Sequence, residues 1–211
     1  MCFTYVCSAF LVHNFVSDHK PADFKQPSFP DLWRTLVGAV VCFLARRLTT
    51  KLFYPTAYAI SKVQDDKGLR AKYAHKACDN LYVTIYYIMS TYWGWSVLKE
   101  TTFLPWYLGG PADGDFWTMT NNPLFTDYST SLVDYSLFTF GYHVCELFEH
   151  VCVNGRMNDF NEMLLHHVAA VALYFSATFA NVVPYGCLIA YLHDLSDIPI
   201  SLSKMLNSTR F

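Results

Sequence analysis

Two stretches of this sequence carry side chains able to move a proton or to act as a nucleophile. His166 and His167 stand side by side in one apolar run, and His193, Asp194 and Asp197 stand in the next. On a helix, Asp194 and Asp197 share a face and His193 lies one turn from Asp197. A carboxylate beside an imidazole orients the ring, fixes its tautomer and raises its basicity, as general-base or nucleophilic histidine chemistry requires. The competing reading is a polar lock between two helices. Five ionisable groups exceed what a lock needs.

A second group, His143, Glu146 and His150, follows i, i+3, i+7 spacing. His and Glu ligands do build zinc and iron sites, but the further histidine boxes of a hydroxylase-type site are missing. Glu146, Glu149 and His150 lie near the end of their apolar run, so snorkelling or lining a wet entrance is the expected role, and no metal is expected. Asp134, in the same run, has no evident partner in the sequence.

The elements that position these residues read as membrane helices. Of the chain, 53% is hydrophobic and only 15% charged; the charges are bunched, so a mean hydropathy of +0.19 understates the apolar runs. Those runs are Leu32 to Thr50, Asn80 to Leu98, Tyr128 to Val153, and Met163 to Met205. A bilayer core takes about 20 helical residues, and Asn181 with Pro184 divides the last run into Met163 to Ala180 and Val182 to Ser203. The expected fold is all-α, a polytopic membrane bundle of about five transmembrane helices. At about 1.5 Å per residue, the double histidine sits roughly 6 Å, and Asp197 roughly 10 Å, inside the same edge of the membrane.

Loop charge orients the bundle. Between the first two runs lie Arg46, Arg47, Lys51, Lys62, Lys67, Arg70, Lys72 and Lys76, whereas the next loop sets Lys99 against Glu100, Asp113, Asp115 and Asp127. The positive-inside rule places the first loop and the C-terminus in the cytosol and the second loop and the N-terminus in the lumen. Trp93, Trp95, Trp106, Tyr107 and Trp117 gather at the lumenal edge, where amphipathic rings favour an interface. The sequon Asn207-Ser208-Thr209 then faces the cytosol and stays unglycosylated. A net charge of -2 and the lack of a basic stripe exclude a nucleic-acid partner. Seven scattered cysteines form no CxxC pair and read as small hydrophobes. The opening residues, Cys2 to Val16, read as interfacial rather than as a cleaved signal.

The string from Arg156 to Asn207, RMNDFNEMLLHHVAAVALYFSATFANVVPYGCLIAYLHDLSDIPISLSKMLN, resembles the Lag-type signature of the TLC-domain ceramide synthases. The likeness lies in the Arg/Asp pair, the double histidine, Ser176, Asn181, Gly186 and the HDLSD element followed by a lysine. Lys72-Tyr73 and Pro105-Trp106 are similar to the family's KF and PW elements. The resemblance implies N-acylation of a sphingoid base by fatty acyl-CoA in the endoplasmic reticulum membrane. His166, His167, Asp194 and Asp197 would be catalytic, and Arg156, Asp159 and His193 would bind substrate. Acyl-CoA enters as a co-substrate, with no resident cofactor. Its polyanionic head suits Arg156 and the Lys62 to Lys76 loop. The lipid bilayer and a homo- or hetero-oligomer are the further expected partners.

The chain departs from the pattern at His75 and Cys78, where the family has Glu and Trp, and in the wider Arg156 to Asp159 spacing. The resemblance also implies two more spans beyond Phe211. The domain reading is an N-terminal lumenal or interfacial segment, residues 1–28, followed by a first span, a basic cytosolic loop and an incomplete TLC domain, residues 29–211. Two alternatives stand beside the synthase. One is a non-enzymatic TLC-superfamily membrane protein of lipid trafficking, lipid sensing or translocon association. The other is a proton-coupled transporter with an Asp/His relay, which lacks the repeat expected of many transporters.

Overall fold

The computed structural model describes residues 31–101, 104–111, 129–153 and 160–210, with Leu11 and Asn14. Among the described residues the regular structure is helical, in five long α-helices: α1 Leu32–Ala59, α2 Lys67–Leu98, α3 Thr130–Phe148, α4 Phe160–Phe179 and α5 Val183–Leu206. A π turn, Glu149–Val153, extends α3, and a 3-10 turn covers Trp106–Leu108.

Local chemistry explains where the helices start and stop. Asp66 Oδ1 accepts from the backbone N–H groups of Gly68 and Leu69 at the start of α2, and Ser129 Oγ accepts from Leu132 N–H at the start of α3; both satisfy donors that a first turn leaves orphaned. The break between α4 and α5 falls at Asn181, as expected. Asn181 takes the left-handed conformation with φ +54°, which Asn tolerates better than most residues. Its N–H donates to Thr178 O, and Val182 N–H donates to Ala177 O, the paired bonds of a Schellman stop. Pro184 then sits in the first turn of α5, where its missing N–H costs nothing.

The first two helices outrun their apolar sequences. With 28 and 32 residues, α1 and α2 reach about 42 and 48 Å, so much of the basic segment expected as a loop is helical. The connector between them is short. Pro55 lies inside α1, and Arg70 Nε nearby donates to Tyr58 O at 2.8 Å while its guanidinium covers the Tyr58 ring.

The chain forms two compact units, Met1–Val40 with Gly94–Ala190 and Val41–Trp93 with Tyr191–Phe211. In the first, α1 and α3 pack with Arg34 against Asp134 and Gly38 against Phe138, so the two helices run parallel. Gly141 makes this closeness possible, since a Cβ there would lie 2.5 Å from Thr35 O. Gly186 lets α5 approach α4 at Ala177 in the same way. In the second unit, Ala57, Ala74, Ala77 and Cys78 form a core of small residues, with Tyr54 and Tyr58 packed against it. There Lys62 N–H donates to Ser208 O and Arg210 N–H to Ile60 O, which holds residues 208–210 against the α1–α2 connector.

The surface pattern is inverted relative to a water-soluble bundle. Helix α1 exposes Trp33, Leu36, Val40, Leu44, Leu48 and Leu52 at helical spacing and buries Thr35 and Arg46. Helix α2 exposes Ile85, Ile88 and Met89 and buries Thr84 and Ser90, and α5 exposes Ile189, Leu192 and Leu195 and buries Asp194. Among the described helices, α4 is long and apolar enough by itself to cross a membrane. The others carry arginine, carboxylate or many tyrosine and tryptophan residues, which lower their hydropathy.

Candidate functional site

In the second unit, the middle of α5 brings His193, Asp194 and Asp197 together. His193 Nδ1 lies 3.5 Å from Asp194 Oδ1 and 3.6 Å from Asp197 Oδ2. These distances are at or beyond the outer limit of a hydrogen bond, so the carboxylates hold the ring mainly by charge. A nitrogen facing two carboxylates carries the ring proton, which leaves Nε2 with the lone pair. Asp194 is fully buried. Ser90 on α2 lies beside it, yet Ser90 Oγ and Asp194 Oδ2 each remain without a hydrogen-bond partner.

The facing helix α2 lines this group with polar and aromatic side chains. The Tyr87 ring meets His193 edge-on with centroids 6.4 Å apart, and Thr84 Oγ1 lies 2.9 Å from Ser201 Oγ. Arg46, expected with the cytosolic cations, is instead buried at 4% exposure with its guanidinium over Tyr82. Its neighbour Arg47 covers Phe43 on the exposed side of α1. Tyr87 and Ser90 escaped the sequence reading, which took Arg46 only as a loop cation. The signal that points to them is a polar residue recurring every three or four positions inside an otherwise apolar helix.

His166 and His167 belong to the first unit. Their rings meet edge-on at 5.5 Å; His166 is exposed and His167 half-buried. The nearest imidazole described beside His167 is His150, at 5.4 Å. The carboxylates Asp194 and Asp197 thus orient His193 within their own unit, whereas the double histidine joins His150 in the other.

The snorkelling role expected for Glu149 and His150 is corrected, because both are buried, at 2% and 7% exposure. The π turn begins at Glu149, between Glu146 and His150, so α-helical spacing no longer predicts which face these residues take. His150 Nε2 lies 2.9 Å from Phe160 O, and the ring stacks on Phe160. His143 is also buried and stacks on Tyr174 with centroids 4.7 Å apart. Among the described residues no three His, Cys, Asp or Glu side chains gather as metal ligands.

Arg156 and Asp159 lie outside the described residues, as does Trp117. Of the two departures near the start of α2, His75 packs on the Tyr54 ring with centroids 4.6 Å apart, and Cys78 is buried in the small-residue core. Burial, with Asp79 alongside, pushes the Cys78 thiol up to about 11.

Comparison with known proteins agrees with this architecture. ASC1-like protein 3 of Oryza sativa subsp. japonica is 28% identical over 182 residues, covering 83% of this chain and 60% of that protein. Ceramide synthase hyl-2 of Caenorhabditis elegans is 24% identical over 198 residues, 89% of this chain and 56% of that one. Ceramide synthase 1 LOH3 of Arabidopsis thaliana is 26% identical over 143 residues, 67% of this chain and 44% of that one. The chain therefore spans roughly half the length of these relatives. The TLC domain matches residues 76–210, a span that contains His166, His167, His193, Asp194 and Asp197, and the chain belongs to the TLC domain family.

Proposed function

We propose that this protein takes part in ceramide synthesis, transferring a fatty acyl group from acyl-CoA to the amine of a sphingoid base within the membrane of the endoplasmic reticulum. The observation that carries this reading is the buried Asp194 with His193 held between it and Asp197, on a helix whose outer face is apolar. A carboxylate inside such a helix costs a few kcal/mol to insert, and an imidazole whose ring proton the two carboxylates hold is a use that offsets the cost. Relatives named ceramide synthase support the substrate class.

The reaction forms an N–C bond and breaks the thioester C–S bond. The sphingoid ammonium must lose a proton before it attacks, and the departing CoA thiolate needs one. Imidazole serves both needs. The double histidine supplies the base or the acyl acceptor, and Asp194 and Asp197 steady positive charge on the His193 ring beside them. Arg156 and Asp159 are assigned to substrate, and Arg156 and the Lys62 to Lys76 segment to the anionic CoA head. The proton inventory is complete without a resident metal or redox cofactor.

The inverted surface pattern supports five membrane spans, one for each long helix, since lipid rather than water tolerates apolar outer faces. The bonds from residues 208–210 to the α1–α2 connector support one side of the membrane for both segments, and their lysines and arginines favour the cytosol for that side. The test is ceramide formation from labelled acyl-CoA and a sphingoid base in membranes carrying the protein, measured before and after chelation. Product that depends on the protein and survives chelation supports the reading. Absence of product, or loss restored by a divalent metal, contradicts it.

A further inference from the structure

The helix ends of the second unit enclose an apolar cavity of about 250 Å³, lined from α1 by Phe53 and Ala57, from α2 by Ala77 and Leu81 and from the end of α5 by Met205 and Leu206. That is roughly eight times the share of one water in the liquid, room for one stretch of alkyl chain. Apolar cavities of this kind stay dry and take apolar guests. This one is not sealed, since Phe53 is 44% and Leu206 42% exposed, so a guest enters from the outer surface of the helices, which on the membrane reading above faces lipid.

The charge around the cavity is one-sided. Within two residues of its lining stand Lys51, Lys62, Lys76, Lys204 and Arg210, all exposed, against the one carboxylate of Asp79. Two of these cations are fastened there by backbone bonds. Arg210 N–H donates to Ile60 O, and Lys62 N–H donates to Ser208 O, where Ile60 and Thr209 belong to the cavity wall. An apolar slot with a cationic end is complementary to an amphiphile with an anionic head.

Position along α5 decides which amphiphile. His193 precedes Met205 by twelve residues, about 18 Å of helix. In an acyl-CoA seated with its chain in the cavity, the thioester joining head to chain would stop at the cationic end, far from His193. The guest is therefore one whose head group has no part in the reaction. We propose that the cavity is a docking site for an anionic phospholipid of the cytosolic leaflet, with one acyl chain between α1, α2 and α5 and the anionic head at Lys62, Lys204 and Arg210. Basic pockets between membrane helices recognise anionic lipid heads in this way. Such a lipid joins three segments that are remote in sequence. The choice of leaflet rests on the topology given above; the cavity and its surrounding charge do not.

The experiment uses phosphatidylserine carrying a photoactivatable diazirine in one acyl chain, irradiated with the purified full chain in mixed micelles and followed by mass spectrometry of the modified peptides. Modification should concentrate in residues 53–60, 77–81 and 205–209, and unlabelled phosphatidylserine should suppress it at about tenfold lower concentration than phosphatidylcholine. Lys204→Gln with Arg210→Gln, both outside the segment assigned to the CoA head, should weaken phosphatidylserine binding about tenfold. Modification spread evenly along the exposed apolar face of α1, equal suppression by phosphatidylcholine, stronger suppression by acyl-CoA, or unchanged affinity in the folded double variant each overturn the proposal. If the double variant does not fold, the peptide map and competition in the parent decide. None of these readouts requires turnover, so failure of the synthase reading shows separately, as absence of ceramide from a parent that still takes the lipid.

Discussion

Arg34 Nη1 and Asp134 Oδ1 stand 2.9 Å apart, joining the first turn of α1 to the start of α3 across 100 positions of sequence. Both side chains are more than a third exposed, so the pair contributes modestly. A double-mutant cycle of Arg34→Gln and Asp134→Asn, read by thermal unfolding in detergent, should give a coupling of about 0.5–1 kcal/mol. A coupling indistinguishable from zero would remove this contact from the forces that set the α1–α3 register.

The same helix pair makes a steric prediction. A Cβ on Gly141 would lie 2.5 Å from Thr35 O and 2.8 Å from Ala39 N, whereas one on Gly38 would meet Phe138 at 3.4 Å, ordinary contact. Gly141→Ala must push two backbones apart and should cost about 1–3 kcal/mol, the scale of overpacking. Gly38→Ala should be nearly neutral. Equal unfolding temperatures for the two variants would mean that α1 and α3 are not this close.

These contacts mark the limit of what the sequence could tell. Runs of apolar residues located all five helices, and the break at Asn181 was legible because a left-handed asparagine and a first-turn proline are local signals. The ends of α1 and α2 were not legible. Hydropathy falls at Thr50, yet packing of Tyr54 on His75 and of Arg70 on Tyr58 carries the helices on. Spacing within α5 correctly joined His193 to Asp197. Asp134 appeared solitary because its partner is remote in sequence. Glu149 and His150 were misplaced because their reading took the end of an apolar run for a wet edge, where the helix instead widens into a π turn and buries both.

Cysteine chemistry tests the packing of the second unit and the sidedness of the chain together. With its thiol near 11 rather than the ordinary 9.0, Cys78 holds about a hundredfold less thiolate at neutral pH, and it is buried as well. Maleimide at pH 8 should modify the exposed Cys152 and leave Cys78 untouched, with Cys78 reacting only as the pH approaches 11. In a Cys152→Ser background, cysteines at Lys62 and Arg210 should label from one face of the membrane and a cysteine at Glu100 from the other; all three sites are exposed. Lys62 and Arg210 labelling from opposite faces would break the pairing of residues 208–210 with the connector.

Ceramide formation by single-residue variants tests the central claim most directly. The parent, His166→Ala, His167→Ala and Asp194→Asn, each expressed from its full reading frame, would be compared for initial rate with acyl-CoA and a sphingoid base, at matched amounts of membrane-inserted, monodisperse protein. The two histidine variants should lose at least about a hundredfold in rate, the scale of a missing acid-base group. Asp194→Asn keeps the shape but not the charge that steadies imidazolium, so it should lose less while still falling well below the parent. Folded histidine variants that turn over at the parental rate would contradict the assignment and leave the polar residues of α4 and α5 with a structural role alone.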